Sequence, residues 1–318
     1  MHTTIASPVA MTFDIEEHHR IEAAAHGTWP VGLRDVYARR MDDTTRWLLD
    51  RLGERGIRAT FFVVGQIAES HPSLVRRMVA EGHEVASHSW DHRRVHRFTS
   101  QTFREDVRTS KDALEQASGA AVVGFRAPTF SIMRETAWAI DVLCELGMLY
   151  DSSIFPIHHD RYGVPDAPRT PFIVRGHEHS LLELPLLTLR LFRHNLPVAG
   201  GGYFRLFPLA LMQRGIRRSA ATTNSAAVLY FHPWEFDPDQ PKLPLGRLSK
   251  FRTYVGIRRS RQRLEKLVRG EYRFARMTDI MASLDEERIL LPSFALATPE
   301  SLPQPEHPRL QPPARRAA

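Results

Sequence analysis

Glu84-Val85-Ala86-Ser87-His88-Ser89-Trp90-Asp91-His92 is the stretch on which the reading of this chain turns. It begins as a short buried strand, and two histidines four residues apart follow at once. An imidazole pair at this spacing can place both rings on one side of a helical turn, which suits a divalent metal such as zinc. Upstream, Phe13-Asp14-Ile15-Glu16-Glu17 closes another strand in an acidic cluster. A carboxylate brought from there completes a three-ligand site with a position open to water. That is the outline of a metal hydrolase.

Outward from this stretch, strands and helices alternate. Buried strands are expected at Pro8–Phe13, Ala59–Val64, Glu84–Ser87, Val122–Phe125, Met148–Asp151, Leu181–Leu184 and Ala227–Phe231. Asp42/Asp43 can cap a helix carrying Trp47, Leu48 and Leu52. Pro72 opens a second, Thr99 or Ser100 a third, and Arg134 to Gly147 forms a fourth. Repeated βα units imply an α/β fold with a parallel sheet and helices outside it, here a distorted, seven-stranded (β/α) barrel. The barrel is expected over residues 1–240, a basic helical C-terminal extension over 241–291, and a disordered proline-rich tail over 292–318. Gly200-Gly201-Gly202 marks a flexible or closely packed turn.

Composition narrows the function. The net charge of +7 invites a nucleic-acid reading, but it is concentrated: Gly246 to Arg276 alone holds eleven Lys/Arg against two acids. No nucleic-acid motif accompanies that run, so it reads as a solvated face or as a contact with an anionic polymer or membrane surface. The single cysteine, Cys144, excludes an internal disulfide and reads as a small buried hydrophobe. No apolar stretch is long enough to span a bilayer, and Met1–Ala10 lacks a signal pattern, so a cytoplasmic protein is expected, with peripheral membrane contact at most. Neither a Gly-x-Ser-x-Gly elbow nor a phosphate-binding Gly-Lys-Ser/Thr loop is present, which disfavours serine hydrolases and P-loop enzymes.

Asp14, His88, Arg126, Asp151 and His232 each fall at or just past the end of an expected strand. In a (β/α) barrel those ends open on one face, where catalytic residues collect. Taken in order, Thr12-Phe13-Asp14, His88-Ser89-Trp90-Asp91-His92, Arg126-Ala127-Pro128-Thr129, Tyr150-Asp151-Ser152-Ser153 and Phe231-His232-Pro233 resemble the polysaccharide deacetylases, carbohydrate esterase family 4. Asp151-Ser152-Ser153-Ile154-Phe155-Pro156, Gly200-Gly201-Gly202-Tyr203-Phe204-Arg205 and Phe231-His232-Pro233-Trp234-Glu235 resemble the subgroup associated with exosortase and exopolysaccharide systems.

The resemblance implies a zinc-type site of His88, His92 and an acid from the first motif. It implies Asp14 as general base oriented by Arg126, and His232 as general acid, with Asp151 hydrogen-bonded to His232. A backbone N–H near Thr129 is the implied oxyanion donor. The implied reaction is N-deacetylation of an acetylated polysaccharide or lipid-linked oligosaccharide. One departure matters: the family usually has two adjacent aspartates, where this chain reads Asp14-Ile15-Glu16-Glu17. Strand alternation puts Asp14 and Glu16 on one face, favouring Glu16 as ligand, with Glu17 the alternative if the strand has already turned into a loop. A cyclic amide or ureide hydrolase on the same scaffold, and a non-catalytic carbohydrate-binding or assembly protein, are the competing readings. His18-His19 and His158-His159 read as loop residues more readily than as ligands. Trp90 and Trp234 read as core packing or as sugar platforms.

Overall fold

The sheet is assembled around β1 (Ile5–Ile15), whose residues from Val9 to Ile15 are buried on both faces, as a parallel strand between two neighbours requires. In this computed structural model, which describes residues 5–24, 27, 30–222, 225–285 and 291–297, β1 pairs in parallel with β2 (Thr60–Val63) and β10 (Ala227–Phe231). Beyond β2 come β3 (Glu84–Ser87), β4 (Gly124–Phe125), β5 (Tyr150–Asp151) and β7 (Ser180–Glu183), each parallel to the last. These are the seven strands expected from the sequence. Isolated bridges from Leu186 to Val228 and from Gly200 to Tyr230 carry the chain after β7 back against β10. The fold is therefore α/β with a mostly parallel, curved sheet whose strand ends share one face.

The glycine triplet is explained by the second bridge. A methyl group on Gly200 would lie 1.6 Å from the Tyr230 carbonyl oxygen, and Gly201 takes φ +56°. Close backbone approach, rather than looseness, demands glycine here.

Helices cover the outside. α1 (Val31–Gly53), α2 (Gly65–Ser70), α3 (Pro72–Ala80), α4 (Ser100–Ser118) and α5 (Trp138–Glu145) lie between the first strands. The expected cap of α1 at Asp42/Asp43 is wrong. The buried stripe starts earlier, with Tyr37 and Met41, so Asp42 lies mid-helix and pairs outward with Arg46 at 2.9 Å. Thr99 does cap α4, accepting from the Thr102 N–H, and Gly119 ends it at φ +70°.

Several short elements escaped the sequence pattern. β6 (Phe172–Arg175) runs antiparallel to β7, and β8 (Thr188–Leu191) and β9 (His194–Pro197) form a separate hairpin. Within the basic segment, α8 (Arg247–Tyr254) and α9 (Ser260–Val268) precede β11 (Tyr272–Ala275), which pairs with β1. α10 (Met277–Leu284) then caps the underside of the sheet: Thr60 Oγ1 accepts the Met277 N–H and Glu84 Oε2 accepts the Thr278 N–H. Leu264, Leu267, Met277 and Ile280 join the same core as β1. The tail expected from residue 292 begins instead with β12 (Ser293–Ala295), paired with β6 and held by Phe294 against Phe172. Residues 298–318 of that expected tail lie outside the described residues.

Candidate active site

β1 and β3, with β2 between them, end on one rim and deliver the first carboxylates and histidines. Asp14 is the next-to-last residue of β1, and Glu16 follows its end on the same face. His88 follows the end of β3, and its Nδ1 lies 2.7 Å from the Arg126 carbonyl oxygen. That partner turns Nε2 toward the site, the usual way of orienting a ligand imidazole.

His92 does not arrive by a helical turn, as its spacing had suggested. The loop takes left-handed conformations at Ser89 (φ 68°) and His92 (φ 67°). Buried Asp106 on α4 holds it by accepting from the Ser89 hydroxyl at 2.8 Å and the Trp90 N–H at 3.0 Å. The result still brings the two rings together, with centroids 5.0 Å apart.

Glu16, His88 and His92 form a group that could hold a metal ion, one donor atom from each lying within 4.8 Å of the others. Glu16 Oε2 is buried without a hydrogen-bond partner although His92 Nε2 is 2.5 Å away. Two lone pairs aimed at common ground, with no proper hydrogen bond between them, is what a cation would resolve. The other oxygen, Oε1, accepts from the Trp234 indole N–H at 3.1 Å. Burial opposes ionisation of Glu16, but the surrounding imidazoles, His92 first and then His232 and His88, hold it well below the usual carboxylate range. Burial pushes His88 down to about 4, leaving a neutral imidazole able to donate its lone pair. Glu17 is elsewhere: it pairs with Arg20.

Asp14 and His232 face this trio from β1 and β10. Asp14 Oδ1 accepts from Arg126 Nη1 at 2.7 Å. Arg126 is fully buried, lies over the Phe62 ring at 4.0 Å, and also donates to Thr12 Oγ1, Ser152 Oγ and the Ser152 carbonyl. His232 Nε2 lies 3.9 Å from Asp14 Oδ2 and 3.8 Å from Glu16 Oε1. Burial lowers the pKa of this imidazole, yet its hydrogen bond to Glu235 and the charges of Glu16, Glu235 and Asp14 outweigh it and raise it to about 9.

The residue that holds His232 is not Asp151. Asp151 is fully buried, accepts from the Ser153 hydroxyl at 2.6 Å, and sits beside Glu183; burial raises it to about 6 and Glu183 further still. His232 Nδ1 instead lies 3.2 Å from Glu235 Oε2, which also accepts the His232 backbone N–H. Glu235 Oε1 in turn accepts from Arg205 Nε at 2.7 Å, with both side chains buried. Neither Glu235 nor Arg205 had been expected to act. The signal was present in the two motifs that carry them, Gly-Gly-Gly-Tyr-Phe-Arg and Phe-His-Pro-Trp-Glu, which the fold joins by this bond.

A cavity of about 650 Å³ opens beside Glu16, His92 and His232. Thr129, with φ 56°, lies in its wall. Tyr162, Tyr203 and Tyr230 form an aromatic side, and the His158-His159 pair also reaches it, with His159 stacked on Tyr162 at 3.9 Å. Trp234 is sandwiched between His18 and His232, so both its faces are occupied. His18 is thus a packing residue, driven down to about 3 by burial.

Comparison with known proteins adds similarities of sequence and fold. Residues 2–149 match the polysaccharide deacetylase family, and residues 152–282 match a domain of unknown function, DUF3473. The chain is 33% identical over 114 residues to a chitooligosaccharide deacetylase of Rhizobium leguminosarum bv. trifolii, taking in 36% of this chain and 49% of that protein. It is 30% identical over 106 residues to peptidoglycan-N-acetylglucosamine deacetylase PgdA of Listeria monocytogenes, covering 30% of this chain and 23% of the relative. The matches thus span about half, or less, of those relatives' lengths. A Mycobacterium smegmatis protein solved under the name of a polysaccharide deacetylase shares the fold over 92% of this chain and 94% of its own, with TM-score 0.62 and 23% identity. The first half of the chain is thus similar to the polysaccharide deacetylase family. More particularly, the chain carries a polysaccharide deacetylase domain in its first half and a DUF3473 domain in its second.

Proposed function

We propose that this protein removes N-acetyl groups from the amino sugars of an exopolysaccharide or its lipid-linked precursor, using a divalent metal held by Glu16, His88 and His92. Two imidazole nitrogens and one carboxylate oxygen suit zinc and leave a position open. When bound, the metal polarises the acetamide carbonyl and lowers the pKa of a water molecule. Asp14, oriented by Arg126, takes the proton from the attacking water. The backbone N–H near Thr129 is the candidate donor to the developing oxyanion. His232 gives its proton to the nitrogen as the C–N bond breaks, so that acetate and a free amine leave. Glu235 keeps His232 in the protonated form this step needs. A cation held beside Glu16 would cancel part of that carboxylate's pull, leaving Glu235 as the partner that matters more. Asp151, remote from His232, is left with an architectural part beneath Ser153.

The observation that carries this reading is the placement of Asp14 and His232 about a shared metal-ligand group, each with its own buried ion pair. A binding protein has no use for a base and an acid so arranged. The test is elemental analysis of wild type and His88→Ala, followed by acetate release from acetylated amino-sugar oligomers. About one equivalent of zinc or a similar ion, lost in the variant along with turnover, is expected. A wild type that takes up no metal on reconstitution, or that hydrolyses cyclic ureides and no acetylated sugar, would overturn it.

A further inference from the structure

Among the described residues six large hydrophobic side chains are prominently exposed, and five of them lie on two features. The first is the β8–β9 hairpin, where Phe192 is 99% exposed and Leu191 beside it is exposed. Phe192 is also held at φ 51°, in the left-handed region that bulky residues avoid. A side chain that is both fully bare and conformationally strained points to a function outside the fold's own packing. The second is the mouth of the cavity, where α8 exposes Leu248 and Phe251 one turn apart, with Leu206 near them; Phe251 and Leu206 line the cavity.

Each feature is fenced by cations. Arg190 and Arg193 flank the hairpin tip, and Arg247, Lys250 and Arg252 flank the α8 residues, all exposed. From Leu184 to Trp234 the chain has six arginines and no acid, and from Gln240 to Leu264 eight Lys/Arg and no acid. Asp160, 3.6 Å from Arg252, and Glu22 in the cavity wall are the acids toward this ring. Bare apolar side chains set among arginines match the boundary between anionic headgroups and acyl chains. An anionic polysaccharide would satisfy the arginines and could stack on a ring, but it offers little to the bare aliphatic side chains of Leu191, Leu206 and Leu248. No helix among the described residues is long and apolar enough to cross a membrane, which leaves contact in the plane of the surface.

We propose that the cavity mouth and the β8–β9 hairpin dock this protein on an anionic phospholipid bilayer, with Phe192, Leu248 and Phe251 entering the interface. The site then faces substrate carried at that surface. This docking goes beyond the deacetylase reading and is measured without turnover, so either can fail alone. The test is co-sedimentation of the full chain with phosphatidylcholine vesicles, with and without about 30 mol% phosphatidylglycerol. Binding to the anionic vesicles, roughly tenfold weaker to the neutral ones and weakened by salt, is expected. Phe192→Ser/Leu248→Ser should lower the anionic-vesicle partition about tenfold with an unchanged thermal melt, since both side chains are exposed. No vesicle binding, equal binding to both compositions, or an unaffected double variant would overturn the proposal. So would retention by an acidic polysaccharide such as alginate without vesicle binding.

Discussion

Two buried arginine–carboxylate pairs border the site, and they are built alike up to the last oxygen. Arg126 meets Asp14 at 2.7 Å and Arg205 meets Glu235 at 2.7 Å, with all four side chains almost wholly out of solvent. Asp14 turns its second oxygen toward the metal-ligand group, and the nearest polar partner there is His232 at 3.9 Å. Glu235 gives its second oxygen to His232. The first pair therefore presents a bare carboxylate and the second presents an imidazolium. On the proposed reading, one construction serves as a proton acceptor on β1 and as a proton donor after β10, according to what covers the free oxygen. Buried ion pairs contribute little net stability against their desolvation cost, so their use here is to orient groups.

The sharpest way to break this comparison is Asp14→Asn. The amide keeps a hydrogen-bond acceptor for Arg126 but cannot take a proton, so kcat should fall by about three orders of magnitude while metal content is unchanged. Near-normal turnover would mean that the acceptor lies elsewhere.

Glu235→Gln should act less severely. It removes a charge that helps raise His232, so the donor loses its proton at lower pH. The alkaline limb of kcat/KM should move acidward, with kcat lowered roughly tenfold. A lowered rate with an unmoved limb would reduce Glu235 to packing.

The smallest effect is expected at Asp106, which shapes the histidine loop from outside the site. Burial raises its pKa from 3.8 to about 6, against the opposing hydrogen bonds from Trp90 and Ser89. Between those values the folded protein holds a proton that the unfolded chain has released, so stability falls as pH rises through this window. Asp106→Asn should flatten that slope in urea unfolding, by at most about 2–3 kcal/mol. An unchanged slope would remove Asp106 from the account.

Much of this was legible in the sequence, for definite reasons. The seven parallel strands are short, mostly apolar runs bounded by turn residues, because burial on both faces keeps most of their side chains apolar. Asp14, Glu16, His88, Arg126 and His232 could be assigned to one rim because parallel strands all end together. What was illegible depends on contacts between segments. Glu235 reaches its histidine within one local turn, but the bond that fixes it comes from Arg205, thirty residues away in the chain. Positive φ at Ser89 and His92 depends on Asp106 reaching across from α4, and no periodicity reports it. β11 and β12 are short and half-exposed, and draw their strand character from an edge already built.

Arg205 has a wider reach than its bond to Glu235. Its guanidinium also donates to the backbone carbonyls of Thr253 at 2.6 Å and Val255 at 3.0 Å, the end of α8 and the turn beyond it. A single planar cation thus rivets the lip of the cavity to the partner of the proton donor. Loosening that lip would release Glu235 at the same moment, so mouth and chemistry travel as one rigid piece.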